Sequence, residues 1–425
     1  MYKLQKLKNN IRIVTIPMSA TQTFTILVMV ATGSRYETKE NNGISHFCEH
    51  MFFKGTKKRP DTLAISTELD KVGGEYNAFT SKEYTGYYAK VGSQNTKTAI
   101  DVIGDILQNS KFSAREITKE KGVIIEEVNM YENNPFIHID DLFEECLYGD
   151  TPAGWDTIGT KENIKNFKRK DFISYLNSQY QGSNIVIGIA GDYKEKDIKL
   201  IKKIFSKNKS ASSGSTAPAG EVEPLIKQFA PQIKIKKQKV NQVSLSLGVR
   251  AYSYNDKDYY AGKLLGIILG GSMSSRLFIS VREKAGLAYQ VHTQVEGYND
   301  SGYLTTVIGT SYDKIEEAIK SILGEYKKIK IKIVLESELE KAKDYLRGKT
   351  VLRLESSAEV ASWYVRQEII NQNILNPKDY FKIIDNIKAS DLKRVANNIF
   401  NNKNLNLAII GSDIDEKRLK KGLKL

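Results

Sequence analysis

The sequence predicts an α+β chain of two homologous repeats of about 200 residues, each a mostly antiparallel sheet packed with helices. Three observations predict it. The halves end alike: Lys170-Asp171-Phe172 opens an amphipathic helix that leads to a strand at 184–190 and then Gly191-Asp192. In the second half, Ser390-Asp391-Leu392 opens a helix that leads to a strand at 404–410 and then Gly411-Ser412-Asp413. Asp171 and Asp391 are 220 residues apart, as are Gly191 and Gly411. The halves also start alike, with a strand, a loop and a helix: strand 23–31 before the helix around residue 46, and strand 242–249 before helix 258–269. Between them, residues 206–220 read SKNKSASSGSTAPAG, which lacks apolar periodicity and reads as an exposed linker. The expected division is a first unit at 1–205, a linker at 206–225 and a second unit at 226–425.

The remaining elements follow from periodicity and punctuation. Alternation over 11–16 marks the first strand. The apolar runs 25–30 and 185–189 have strand length, far short of the roughly 20 residues a membrane span needs. Ser113-Ala114-Arg115-Glu116 is a capping box that starts a helix. That helix runs through KEKGVIIEEVNMYE and stops before Asn133-Asn134-Pro135. A charged helix follows the last strand of each half, EKDIKLIKKIF and then DEKRLKKGLKL.

Composition narrows the class. With 40% hydrophobic and 27% charged residues, the 425-residue chain reads as globular with ample core. Two cysteines exclude a disulfide framework, so Cys48 and Cys146 read as reduced packing residues. The start of the sequence has no apolar signal core and no small-residue cleavage site, so a cytoplasmic location is expected. The net charge of +14 comes from scattered lysines without a nucleic-acid motif. Neither nucleic acid nor a membrane is expected as a partner.

The chemistry concentrates in His46-Phe47-Cys48-Glu49-His50, in a chain with only four histidines. On a helix, residues at i, i+3 and i+4 share one face. His46 and His50 can therefore ligate one metal ion while Glu49 points at the same spot. The pattern H-x-x-E-H is the inverted form of the H-E-x-x-H zinc protease signature, in which the Glu is general base. A catalytic zinc needs a third protein ligand, and His₂Glu is an established set. The helix from Ser113 offers Glu120, Glu126, Glu127 and Glu132. Glu120 and Glu127 are seven apart, on one face with Ile124 between them. One can ligate zinc while the other orients a histidine. The second half lacks a His pair, so one Zn²⁺ per chain is expected.

At this point the residues resemble a family. The segment Gly43-Ile44-Ser45-His46-Phe47-Cys48-Glu49-His50-Met51-Phe52-Phe53-Lys54-Gly55-Thr56 closely resembles the zinc motif of the M16 metallopeptidases (inverzincins). That family includes the pitrilysin and insulin-degrading enzymes and the mitochondrial processing peptidases. In Val123-Ile124-Ile125-Glu126-Glu127 the resemblance gives Glu127 the place of the third ligand and Glu120 that of the acid behind the ligands. Gly73-Gly74-Glu75-Tyr76-Asn77-Ala78-Phe79-Thr80-Ser81 is similar to the family's substrate edge strand, where Asn77 and Ala78 would meet substrate backbone by β-augmentation. Ser275-Arg276-Leu277-Phe278 and Val281-Arg282-Glu283-Lys284-Ala285-Gly286-Leu287-Ala288-Tyr289 resemble the segment that aids catalysis from the other half of the enzyme. Arg282 and Tyr289 take its Arg and Tyr positions. Gly154-Trp155-Asp156 departs from the family, where a smaller or basic residue is more common.

The resemblance covers essentially the whole chain and implies a zinc endopeptidase acting on unfolded peptides or presequence-like segments. It implies a zinc-activated water as nucleophile, with Glu49 as general base. Because one chain carries both the zinc motif and the Arg/Tyr pair, it resembles the small bacterial members. These form a clamshell from two chains, so a homodimer is expected, with the zinc site of one subunit completed by Arg282 and Tyr289 of the other. A monomer using its own second half is the alternative assembly. Two other functions are weighed: a catalytically silent peptide-binding or scaffold subunit of the same fold, and a structural zinc protein. Silent members usually lose ligands or base, and here all are present. A structural site normally takes four protein ligands, and Cys48 points off the shared face of the histidines.

Overall fold

The computed structural model describes residues 2–206 and 227–425, so the expected linker lies outside the described residues, apart from Ser206. The first sheet comprises β1 (Lys3–Lys6), β2 (Arg12–Pro17), β3 (Thr23–Val30), β4 (Glu75–Thr80), β5 (Thr85–Gly92) and β6 (Ile185–Gly191). Their order is β1-β2-β6-β3-β5-β4. Only the β2–β6 pair is parallel. The second sheet comprises β7 (Gln232–Lys237), β8 (Val243–Arg250), β9 (Ala288–Gly297), β10 (Gly302–Thr310) and β11 (Leu405–Gly411), in the order β7-β11-β8-β10-β9. Its one parallel pair is β7–β11. Without β1 the two sheets match strand for strand, so the α+β repeat read from the sequence is present in the topology. The central strands β3, β6, β8 and β11 are buried on both faces, which is why they read as continuous apolar runs.

The first half adds helices α1 (Ile44–Phe52), α2 (Thr62–Asp70), α3 (Thr96–Asn109), α4 (Ala114–Glu132), α5 (Pro135–Tyr148), α6 (Lys161–Asn166), α7 (Arg169–Gln179) and α8 (Glu195–Phe205). The second adds α9 (Tyr259–Gly270), α10 (Ile315–Ile331), α11 (Glu336–Arg353), α12 (Ser357–Ile370), α13 (Pro377–Asp385), α14 (Ala389–Ile399) and α15 (Glu416–Gly422). The sequence signal that paired Asp171 with Asp391 has a shared physical cause. Asp171 accepts a hydrogen bond from the Lys168 backbone N–H at 2.8 Å, and Asp391 from that of Lys388 at 3.0 Å. Each carboxylate thereby fastens a helix N-terminus. Ser113 starts α4 as expected, its hydroxyl accepting from the Glu116 backbone N–H at 3.3 Å.

Packing changes where the chain divides. The segment Asn129–Gly154 belongs to the second compact unit, and Val351–Leu375 to the first. A cut at 206–225 separates the two sheets but not the two cores, because each half lends one helix to the other. On α5, Ile139, Leu142, Phe143 and Leu147 form an apolar stripe at helical spacing that packs with Tyr303, Val307, Ala408 and Ile410 of the second sheet. On α12, Val360, Ala361, Tyr364 and Val365 pack with Val14, Leu27, Met29 and Val186 of the first. Fully burying such a side chain is worth about 1.5–3 kcal/mol, so each borrowed helix is an integral part of its host core. The opposite face of the first sheet, with Phe24, Ile26, Val28 and Ile187, packs with Ile100, Ile103 and Ile106 of α3 and with Ile201 and Phe205 of α8. Among the described residues no helix is long and apolar enough to cross a membrane, and both cysteines are free thiols.

Candidate metal centre

Helix α1 is short and firmly held. Its apolar face buries Phe47 against Phe172, ring centroids 4.9 Å apart, and Phe52 against Tyr87 and Phe112. Cys48 is fully buried, and burial pushes its thiol pKa well up, so it packs rather than ligates. The helix enters through Gly43 at φ 98°, where a Cβ would meet the Ile158 carbonyl oxygen at 2.6 Å. Only glycine suits both the left-handed backbone and that close approach. The cap is supplied from upstream: the buried Glu37 carboxylate accepts from the backbone N–H groups of Gly43 at 2.8 Å and Ser45 at 2.7 Å, and from the Asn42 side chain at 3.0 Å. Burial pushes Glu37 upward in pKa, opposed by these hydrogen bonds.

The remaining face of α1 carries His46, Glu49 and His50, all half-buried. Helix α4 lies opposite, burying Ile117, Glu120, Ile124 and Val128 along one stripe, with Glu127 at its margin. Glu126 is exposed. The Nε2 of His46 is 3.7 Å from one Glu127 oxygen, and the Nε2 of His50 is 3.4 Å from the other. One ligand atom from each of His46, His50 and Glu127 lies within 4.8 Å of the others. Two imidazole nitrogens and a carboxylate so gathered are a donor set that fits Zn²⁺. Behind them, Glu120 binds Nδ1 of His50 at 2.8 Å and the Lys54 ammonium at 2.7 Å. Glu120 thus fixes the ring orientation of His50, the task of an outer carboxylate at a metal site.

The electrostatics suit a cation. Burial lowers the pKa of His46 to about 4, aided by His50, and keeps the ring neutral as a ligand must be. Burial also pulls His50 down, but Glu120 and Glu127 outweigh it and raise it to about 9. Glu127 is lowered by its bond to His50. Glu120 is lowered too: burial pushes it up, but His50 and Lys54 prevail. His50, Glu120 and Glu127 therefore favour a positive charge among them. Glu49 goes the other way, raised by burial against its bond to Thr80 and the charge of His50.

The expected substrate strand lies beside this cluster. β4 is an edge strand, paired on one side with β5 in the register Asn77↔Tyr88 and Ala78↔Tyr87. Asn77 is exposed, and its side-chain oxygen accepts from the Ala78 N–H at 2.9 Å. Arg282 and Tyr289 belong to the second unit, where they meet each other. Arg282 sits on the π-helical segment Phe278–Lys284, its guanidinium 4.9 Å from the Tyr289 ring centroid and 4.7 Å from that of Phe278. π-turns of this kind occur often at functional sites. Tyr289 is the second residue of the edge strand β9 and is 72% exposed. Trp155 is half-buried and its carbonyl accepts from the Lys82 ammonium. Glu37 and Lys54 escaped the sequence reading; Lys54 lies just past the end of α1, where helical spacing no longer applies.

The first half of the sequence, residues 12–161, matches the family model of Insulinase (Peptidase family M16), and residues 166–346 match that of the Peptidase M16 inactive domain. The chain belongs to peptidase family M16. The name of the second model agrees with the sequence of α9, YYAGKLLGIILG, which has no histidine. The M16 chain is 36% identical over 396 residues to an uncharacterised zinc protease, YmxG, of Bacillus subtilis, covering 93% of this chain and 94% of that protein. It is 29% identical over 420 residues to the β subunit of the mitochondrial-processing peptidase of Dictyostelium discoideum, covering 96% and 88%. The solved structure of a protease from Helicobacter pylori superposes with a TM-score of 0.91 at 25% identity, over 97% of this chain and 99% of that one.

Proposed function

We propose that this M16 chain is a zinc-dependent endopeptidase that cleaves unfolded peptides or presequence-like segments inside a closed chamber. The carrying observation is the convergence of His46 and His50 of α1 with Glu127 of α4, while Glu49 shares the face of α1 with the two histidines. His46, His50 and Glu127 would hold one Zn²⁺ per chain. Bound zinc acidifies a water molecule and polarises the scissile carbonyl. Glu49 accepts a proton from the attacking water and passes it to the leaving amine. Glu120, held by Lys54, keeps His50 in ligating orientation. An extended substrate adds to the free edge of β4 at Asn77 and Ala78, bound through its backbone and hence with broad tolerance of side chains. Arg282 and Tyr289 supply a cation and a phenol for the negative charge that develops on the carbonyl oxygen. Cleavage of an internally quenched peptide tests the activity; a silent scaffold subunit would hold zinc and leave the peptide intact.

Two copies form the working unit, each providing the zinc site that the other completes. Mixing two inactive variants tests this. Glu49→Gln chains keep Arg282 and Tyr289, whereas Arg282→Ala chains keep the base. Mixed dimers then contain one whole site, and activity returns towards a quarter to a half of wild type, depending on exchange. A monomer that uses its own second half gives no recovery.

A further inference from the structure

We propose that Thr80 is a positioning residue for Glu49, coupling the docking of a peptide on β4 to the alignment of the general base. The proposal rests on the reading of Glu49 as that base. Thr80 is the last residue of β4, on the same strand face as Ala78, and pairs with Thr85 of β5. Its hydroxyl donates to Oε2 of Glu49 at 2.5 Å. Among the described residues no other hydrogen bond holds that carboxylate.

The two partners differ in stiffness. The glutamate chain turns about three side-chain bonds, whereas the β-branched threonine has a restricted χ1 and takes its direction from the strand backbone. The strand thus dictates where the carboxylate rests. The hydroxyl engages Oε2 and leaves Oε1 to exchange the proton. A charge-assisted O–H···O⁻ bond is among the stronger kinds in proteins. The free edge of β4 is where an extended peptide would pair, and Thr80 lies two residues beyond Ala78. A peptide that orders the strand therefore also orders the base, so turnover rises with productive docking rather than with metal binding alone.

Thr80→Val keeps the branched shape and removes the donor, while Thr80→Ser keeps the donor. Thr80→Ala provides a second donor-free variant, in case the valine methyl crowds the carboxylate. On an internally quenched extended peptide, the Val and Ala variants are expected to lose about 10- to 100-fold in kcat, the scale of one hydrogen bond to a charged group. KM and zinc content stay within about twofold, and Thr80→Ser retains most of the wild-type kcat. In a Glu49→Gln background, Thr80→Val adds no further loss, because the group it positions is gone. Unchanged kcat in both donor-free variants would overturn the proposal, as would a rise in KM alone, a loss of zinc, or a Ser variant as slow as Val. Failure of the underlying reading looks different: Glu49→Gln itself would turn over normally.

Discussion

Glu49→Gln is expected to keep its zinc and its fold while losing at least about 10²- to 10⁴-fold in kcat, the range for removing a positioned proton-transfer group. Glu49 lies outside the gathered donor set of His46, His50 and Glu127, so its replacement leaves all three ligands in place. The amide has nearly the shape of the carboxylate and can still meet the Thr80 hydroxyl, so packing at this half-buried position is preserved. What it lacks is a site for the proton. Metal analysis and peptide turnover on the same preparation read out both halves of the prediction. A variant with full zinc and normal turnover would remove Glu49 from the chemistry.

Glu127→Gln is expected to act on the metal itself. Glu127 places its two oxygens 3.7 Å and 3.4 Å from the Nε2 atoms of His46 and His50, and it is the ligand that brings negative charge. Replacing a carboxylate with a neutral amide removes that charge and presents an NH₂ group towards the imidazoles. Zinc affinity should fall by more than the 10- to 100-fold typical of disturbing an outer partner, with activity falling alongside. Competition with a chromogenic chelator measures it directly. Undiminished metal content would take Glu127 out of the site and return attention to Glu120.

Much of this site was legible because helical periodicity is a strong signal. The spacing of His46, Glu49 and His50 fixes a common face on any helix, and the seven-residue interval from Glu120 to Glu127 fixes a second. The structure brings these faces together and places Glu120 behind His50. The repeat was legible for a similar reason, since Asp171 and Asp391 perform the same capping in both halves. Other features left no such mark. An apolar stripe on α5 or α12 declares that a face is buried, but not which sheet buries it, so the exchange of helices between units was invisible. Glu37 reaches the N-terminus of α1 across a loop, and Thr80 reaches Glu49 from a strand 31 residues away. Contacts like these depend on tertiary placement, which single-sequence periodicity does not encode. Lys54 belongs with them: α1 ends at Phe52, so helical spacing does not carry from His50 to Lys54.

Zinc titration of metal-stripped protein, with cleavage of an internally quenched peptide as the readout, tests whether this M16 chain hydrolyses peptide bonds with one zinc held by His46, His50 and Glu127. The expected result is no cleavage in the stripped protein and a linear rise that breaks at one zinc per chain. Cleavage that persists without metal, or zinc uptake to one per chain with no cleavage, would contradict it.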